Sequence, residues 1–289
     1  MQRVAGLVLS FFLLAGSVAL GQTAQTPPKV LVITREFVKP GRGGMAHERV
    51  ENGYLQAFAH AKWPIHYVGM NSLSGKSRAL FFTGYDSFAD WEKDAMEIQK
   101  DAELSSAIDR TGFADGDLLD STDATVFTYR DDYSLRPDPG LAHKRYFDIT
   151  AVHVREGHRK EWDDGMKMVM TAYQRANPNA HWACYEVMYG MPEGTYIFIT
   201  SRASVAEVDN EISKQKDFSD ALGDDGMKKL EQISAAAIET SESQLFAIDP
   251  RMSYVGDDVA AADPGFWNPK PISTAAAAKK AKPKAETRH

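Results

Sequence analysis

Eight histidines give this 289-residue chain its first chemistry to test. His153, His158 and His181 lie in the second half of the chain, yet no HxxxH, HxH or HExxH spacing is present, and such spacings set two imidazoles on one side of a metal. The sequence therefore predicts no metal and no cofactor, with the histidines spread over strand ends and surface. The single cysteine, Cys184, lies between Ala183 and Tyr185 in a strand-like run. A small buried thiol fits that setting better than a nucleophile with His181 or His153 as its base.

Aromatic residues are more suggestive. The stretches AKWPIHY from Ala61 and AHWACYE from Ala180 each bring a Trp, a His and a Tyr to the start of a strand. Rings with polar tips make a wall suited to a flat organic ligand, and also to a filled core. Trp63, His66, Tyr67, His153, His181, Trp182 and Tyr185 are the candidate ligand-binding residues; no catalytic residue is singled out. His66 in one stretch stands where the other has Cys184, which assigns any site to one of the two.

Adjacent acids at Asp131-Asp132, Asp163-Asp164, Asp224-Asp225 and Asp257-Asp258 point apart on a helix or strand, so none is an acid–base pair. GxxxxGK[ST], GxGxxG after a strand, and GxSxG are all missing. PGRGG at Pro40 reads as a turn, since its counterpart EGHRK lacks the glycines.

The elements that would carry these residues occur twice. Ile33, Thr34, Val38 and Gly41 fall on Ile149, Thr150, Val154 and Gly157 at an offset of 116, and VFTYRDDYSL from Val126 falls on LFAIDPRMSY at 119. Offsets that drift by a few residues over a hundred are the mark of a duplicated domain with loop insertions. In the first copy the pattern gives strand VLVITREFV, helix GGMAHERVENGYLQAFAHA with Met45, Val50, Leu55 and Phe58 among its apolar positions, and strands IHYVGMNSL and RALFFTGY about the turn SGKS. Ser87 caps FADWEKDAMEIQKDA, a further helical stretch follows, and ATVFTYR closes the copy. The second copy gives RYFDITAVHV, HRKEWDDGMKMVMTAYQRA, HWACYEVMYG, GTYIFIT, VAEVDNEIS capped by Ser204, MKKLEQISAAAIETS and QLFAID. The fold class is α+β, two tandem ferredoxin-like βαββαβ repeats at residues 29–135 and 144–255, packing sheet to sheet as an intramolecular pseudo-dimeric α/β barrel.

With this order and repeat the chain resembles the dimeric α/β-barrel superfamily, in particular its tandem members of the NIPSNAP-like or antibiotic-biosynthesis-monooxygenase-like kind. The resemblance implies a pocket between sheet and helices, where related monooxygenases take aromatic polyketides. It implies no catalytic signature, because such folds host many activities.

Residues 1–21 read as an export signal, with Arg3, an apolar run from Val4 to Leu20 and a cut before Gln22. Export implies a periplasmic or secreted protein that depends on its core, since one cysteine closes no internal disulfide. The Ala/Lys-rich tail at 270–289 reads as disordered, with six Lys or Arg against Glu286. Setting the tail and Arg3 aside turns the net charge of −7 into −13 for residues 22–269, which argues against nucleic acid or an anionic membrane as partner. The expectation is a monomer with no transmembrane segment in the mature chain, binding a small hydrophobic or aromatic molecule in a barrel cavity. The alternatives are a cofactor-independent monooxygenase or related oxidoreductase, and an interaction module with a packed barrel.

Overall fold

The computed structural model describes residues 26–269. The export signal and the basic tail both lie outside the described residues. Strand β1 (Val30–Val38) has the bounds its alternating pattern predicts, with residues 31, 33 and 35 on one face and 30, 36 and 38 on the other. It leads to helix α1 (Met45–Ala61), strands β2 (Tyr67–Ser72) and β3 (Ala79–Tyr85), helices α2 (Phe88–Lys100) and α3 (Ala102–Gly116), and strand β4 (Leu119–Tyr129). The second half repeats the order: β5 (Tyr146–Val154), α4 (Arg159–Ala176), β6 (Ala183–Tyr189), β7 (Thr195–Arg202), α5 (Ala206–Ser213), α6 (Gln215–Ala237) and β8 (Ile238–Ile248). Two short helices, α7 (Asp257–Ala262) and α8 (Pro264–Trp267), follow.

All eight strands join in one closed antiparallel barrel, in the order β1-β3-β2-β8-β5-β7-β6-β4. The sequence suggests two sheets laid face on face; instead the halves meet edge to edge, through β2 with β8 and β4 with β6. Closure removes every free strand edge, and both inner faces look into one lumen. That lumen is filled by Leu31, Ile33, Leu80, Phe82, Phe127, Ile149, Ile197 and Phe246 among others, all buried.

Each half also reaches across the other. The chain after β4 pairs Leu135 with Trp182, and the chain after β8 pairs Tyr254 with Tyr67, positions related by the same offset of 119 in the crossing arms.

Local signals hold where the physics is local. Ser87 accepts from the Asp90 amide, and Gly75 sits at φ 73 in the β2–β3 turn, a conformation glycine adopts without strain. Ser204, expected as the cap of α5, lies two residues before the helix and accepts from the Ala206 amide, while the cap position is Val205, without a side-chain cap. The stretch IETS, which extends the helical pattern in sequence, belongs to β8: the helix ends at Ala237, and Ile238 pairs with Val154. β4 begins at Leu119, earlier than its apolar part suggests, because its exposed polar half pairs with β1. No helix among the described residues is long and apolar enough to cross a membrane.

Candidate metal centre

Glu36 lies on the outer face of β1, toward the helices, although it sits among residues patterned as a buried strand. Helix α1 starts behind Gly41 and Gly44, both at positive φ. It sets His47 and Glu51 one turn apart on a single face. Asp101 caps α3 by accepting from the Glu103 and Leu104 amides, and the helix then carries Asp115 in its last turn. α1 and α3 approach closely at Gly53, where a Cβ would stand 2.9 Å from Thr111 Oγ1.

These elements bring four side chains to one point beneath the helices. His47, Glu51, Asp115 and Glu36 are 1, 2, 3 and 7% exposed. His47 Nε2 lies 3.0 Å from Glu36 Oε2, 3.4 Å from Asp115 Oδ1 and 3.8 Å from Glu51 Oε1. One donor atom from each of the four lies within 4.8 Å of all the others. Ligands ~2.1 Å from a common ion stand ~3.4 Å apart in a tetrahedron, so the spacing suits a shared cation. Glu51 Oε1 and Asp115 Oδ1 have no hydrogen-bond partner among the described residues. Buried carboxylate oxygens without partners are costly, and the negative end of α3 adds to the field that Asp115 feels.

The electrostatics carry the same demand for positive charge. Burial disfavours the His47 cation, yet attraction to Asp115 and Glu36 and the charge of Glu51 push it up to about 10. Burial, then the charges of Glu36 and Asp115, push Glu51 up to about 9. Burial also raises Glu36, against the pull of His47. Without a metal the cluster holds protons where a cation would sit.

Two phenols border the site. Tyr54 and Tyr67 are both raised, first by burial and then by Glu51 and its neighbours, and the Tyr67 hydroxyl has no partner among the described residues. Tyr67 is thus the one sequence candidate beside the cluster.

The other candidates scatter. Trp63 donates to Asp94, and His66 is exposed and stacks on Tyr254 at 4.8 Å. His153 pairs with Glu239 at 3.0 Å. Trp182 packs on Tyr173 and donates to the Tyr133 carbonyl. His181 faces the Asn179 and Ser201 carbonyls. It shares with the buried Tyr185 a cavity of about 130 Å³ at one barrel end. A cavity of about 60 Å³ lies in the lumen toward the other end. Both are below the ~300 Å³ of an ordinary organic-ligand pocket, and large inward side chains fill the lumen around them.

The His–carboxylate cluster escaped a search for histidine pairs because it has one histidine and draws on β1, α1 and α3. The legible signal was His47 and Glu51, four apart on a helix. The apolar reading of α1 hid it: Met45 is 55% exposed, while His47 and Glu51 are the residues α1 buries. At an offset of 116 the second half has Val152, Asp163 and Lys167 in place of Glu36, His47 and Glu51, and its sheet–helix layer packs Trp162, Met166 and Tyr196.

No family model and no curated protein matches the chain. Among solved structures, a candidate monooxygenase from Fusobacterium nucleatum subsp. nucleatum ATCC 25586 is similar at 9% identity and a TM-score of 0.51, over 78% of this chain and 94% of that one. An anthrone oxidase-like protein aligns at 14% identity and a TM-score of 0.49, over 76% and 91%. A chlorite dismutase variant from Candidatus Nitrospira defluvii aligns at 9% and 0.47, over 78% and 93%. The first of these likenesses shows the fold alone, an antiparallel eight-stranded barrel with helices.

Proposed function

We propose that this protein holds one redox-capable metal ion, iron or manganese, between Glu36, His47, Glu51 and Asp115, and uses it to oxidise a small molecule with dioxygen as the oxidant. The observation that carries the metal is the convergence of four buried donors, two with oxygens that nothing else satisfies. Carboxylates suit manganese and imidazole suits iron or zinc, and the cluster contains no thiolate. Charge narrows the choice. Three carboxylates with a neutral imidazole balance a trivalent ion, whereas a divalent one leaves the buried site negative unless an acid keeps its proton. Iron and manganese reach that state; zinc does not.

The substrate side of this reading rests on Tyr54 and Tyr67 beside the centre. The alternative, a cofactor-independent oxygenase, is favoured by one observation, the buried unpartnered hydroxyl of Tyr67, a proton donor already in place. The Fusobacterium protein of like fold is described as a candidate monooxygenase, which accords with either route. The same proposal takes the halves as tandem ferredoxin-like repeats, supported by their common element order and crossing arms, and takes the protein as exported, supported by residues 1–21.

Metal stoichiometry after loading with iron(II), manganese(II) or zinc(II) and gel filtration tests the claim. One equivalent is expected for the unaltered protein. His47→Ala and Glu51→Gln should weaken retention at least about tenfold while circular dichroism confirms the fold. No retained metal in the unaltered protein, or equal retention in both variants, would overturn it.

A further inference from the structure

The strand that offers Glu36 to the helices offers Arg35 to the lumen, where a second polar site is built. The cavity of about 60 Å³ is lined by Arg35, Arg78, Thr125, Glu242 and Gln244 against an apolar floor that includes Ile33 and Phe127. Arg78 Nε, Thr125 Oγ1 and Gln244 Oε1 are all buried and have no hydrogen-bond partner among the described residues. Thr125 is 1% and Gln244 5% exposed. Unsatisfied groups of this kind are costly, and three on one small cavity call for a polar occupant.

The charges around it are unequal in their commitments. Arg35 is clamped on Asp123 through Nε and a terminal nitrogen, at 2.5 and 3.0 Å. Gln244 donates its amide to Glu242, an exposed residue at the rim, and so turns its carbonyl oxygen inward. Arg78 makes no ion pair with the described residues; its guanidinium lies over Phe37 and Phe246 at 5.8 and 5.5 Å. Burial lowers its pKa, with Glu242 and Asp123 opposing and Arg35 adding to that effect. A half-buried guanidinium whose inaccessible Nε–H has no partner among the described residues is a ready anion donor.

We infer that this end of the lumen binds a small oxyanion that also carries a hydroxyl, of which hydrogencarbonate is the simplest. Its charged oxygens take the Arg78 Nε–H and the Thr125 hydroxyl, and its own O–H meets the Gln244 carbonyl. The space, about 60 Å³, admits such an ion. The site stands apart from the metal reading, since β1 separates the two.

Titration calorimetry with sodium hydrogencarbonate and with sodium nitrate, which has no hydrogen to give Gln244, tests the inference. Measuring both the unaltered protein and Glu51→Gln separates lumen binding from binding at the metal centre. One saturable site is expected in both proteins, with hydrogencarbonate several-fold tighter than nitrate. Arg78→Met should lose at least tenfold in affinity, and the near-isosteric Thr125→Val several-fold. Thr125→Val keeps the test decisive if Arg78→Met fails to fold. Absence of saturable binding, unchanged affinity in Thr125→Val, or binding lost in Glu51→Gln would overturn the inference.

Discussion

The Cys184 thiol has no exposure and packs with Tyr133, Trp162 and Tyr196 between the second-half sheet and its helices. Burial pushes its pKa well above the ordinary range, and Arg130 only partly offsets that. The thiolate is the reactive form, so at pH 8 a thiol reagent should leave the native protein untouched and react once denaturant opens the fold. Stoichiometric labelling before unfolding would contradict this packing. At this scale the sequence was partly legible. A strand position between small and aromatic neighbours foretold a buried thiol, and Tyr67 was a candidate that lies beside the cluster. Glu36 and Asp115 were not legible, because nothing local marks an acid on a strand or at a helix end as buried. Only the fold brings them to His47.

Gly69 shows how an element is fixed by what crosses it. A Cβ there would stand 2.3 Å from the Met252 carbonyl oxygen, because the chain after β8 lies against β2. The Gly69 amide donates to Ser253, and its carbonyl accepts from the Asp249 amide. Gly69→Ala should therefore destabilise by about 1–3 kcal/mol, read as a fall of several degrees in Tm; an unchanged Tm would show that this arm is not held as described. The strands and first helix of each half were legible because their periodicities of 2 and 3.6 are local. The start of β8 was not, since IETS follows a helix without a break and only pairing with β5 draws it into the sheet. The face that α1 buries was not legible for a similar reason: burial there follows His47 and Glu51, not hydropathy.

At the scale of the whole molecule, neither half is complete. Leu31, Ile33, Leu80, Phe82 and Phe127 from one half pack with Ile149, Ile197, Ile199 and Phe246 from the other. Residues 29–135 produced alone would expose this inner face, at about 1.5–3 kcal/mol for each large apolar side chain left in water. They should self-associate in sedimentation; a stable monomer would contradict a shared lumen. The repeat made an internal barrel legible from sequence, but not how it closes, because edge pairing and face packing leave the same apolar alternation. Nor did it tell which half holds a site, since positions matched at the offset differ singly, as Glu36 does from Val152.

The most direct test of the central claim is an anomalous difference map from crystals of the manganese- or iron-loaded protein, collected at the edge of that metal. The account expects one strong peak among Glu36 Oε2, His47 Nε2, Glu51 Oε1 and Asp115 Oδ1, about 2.0–2.3 Å from each. Loaded crystals with no peak there, or with the metal bound only elsewhere, would contradict it.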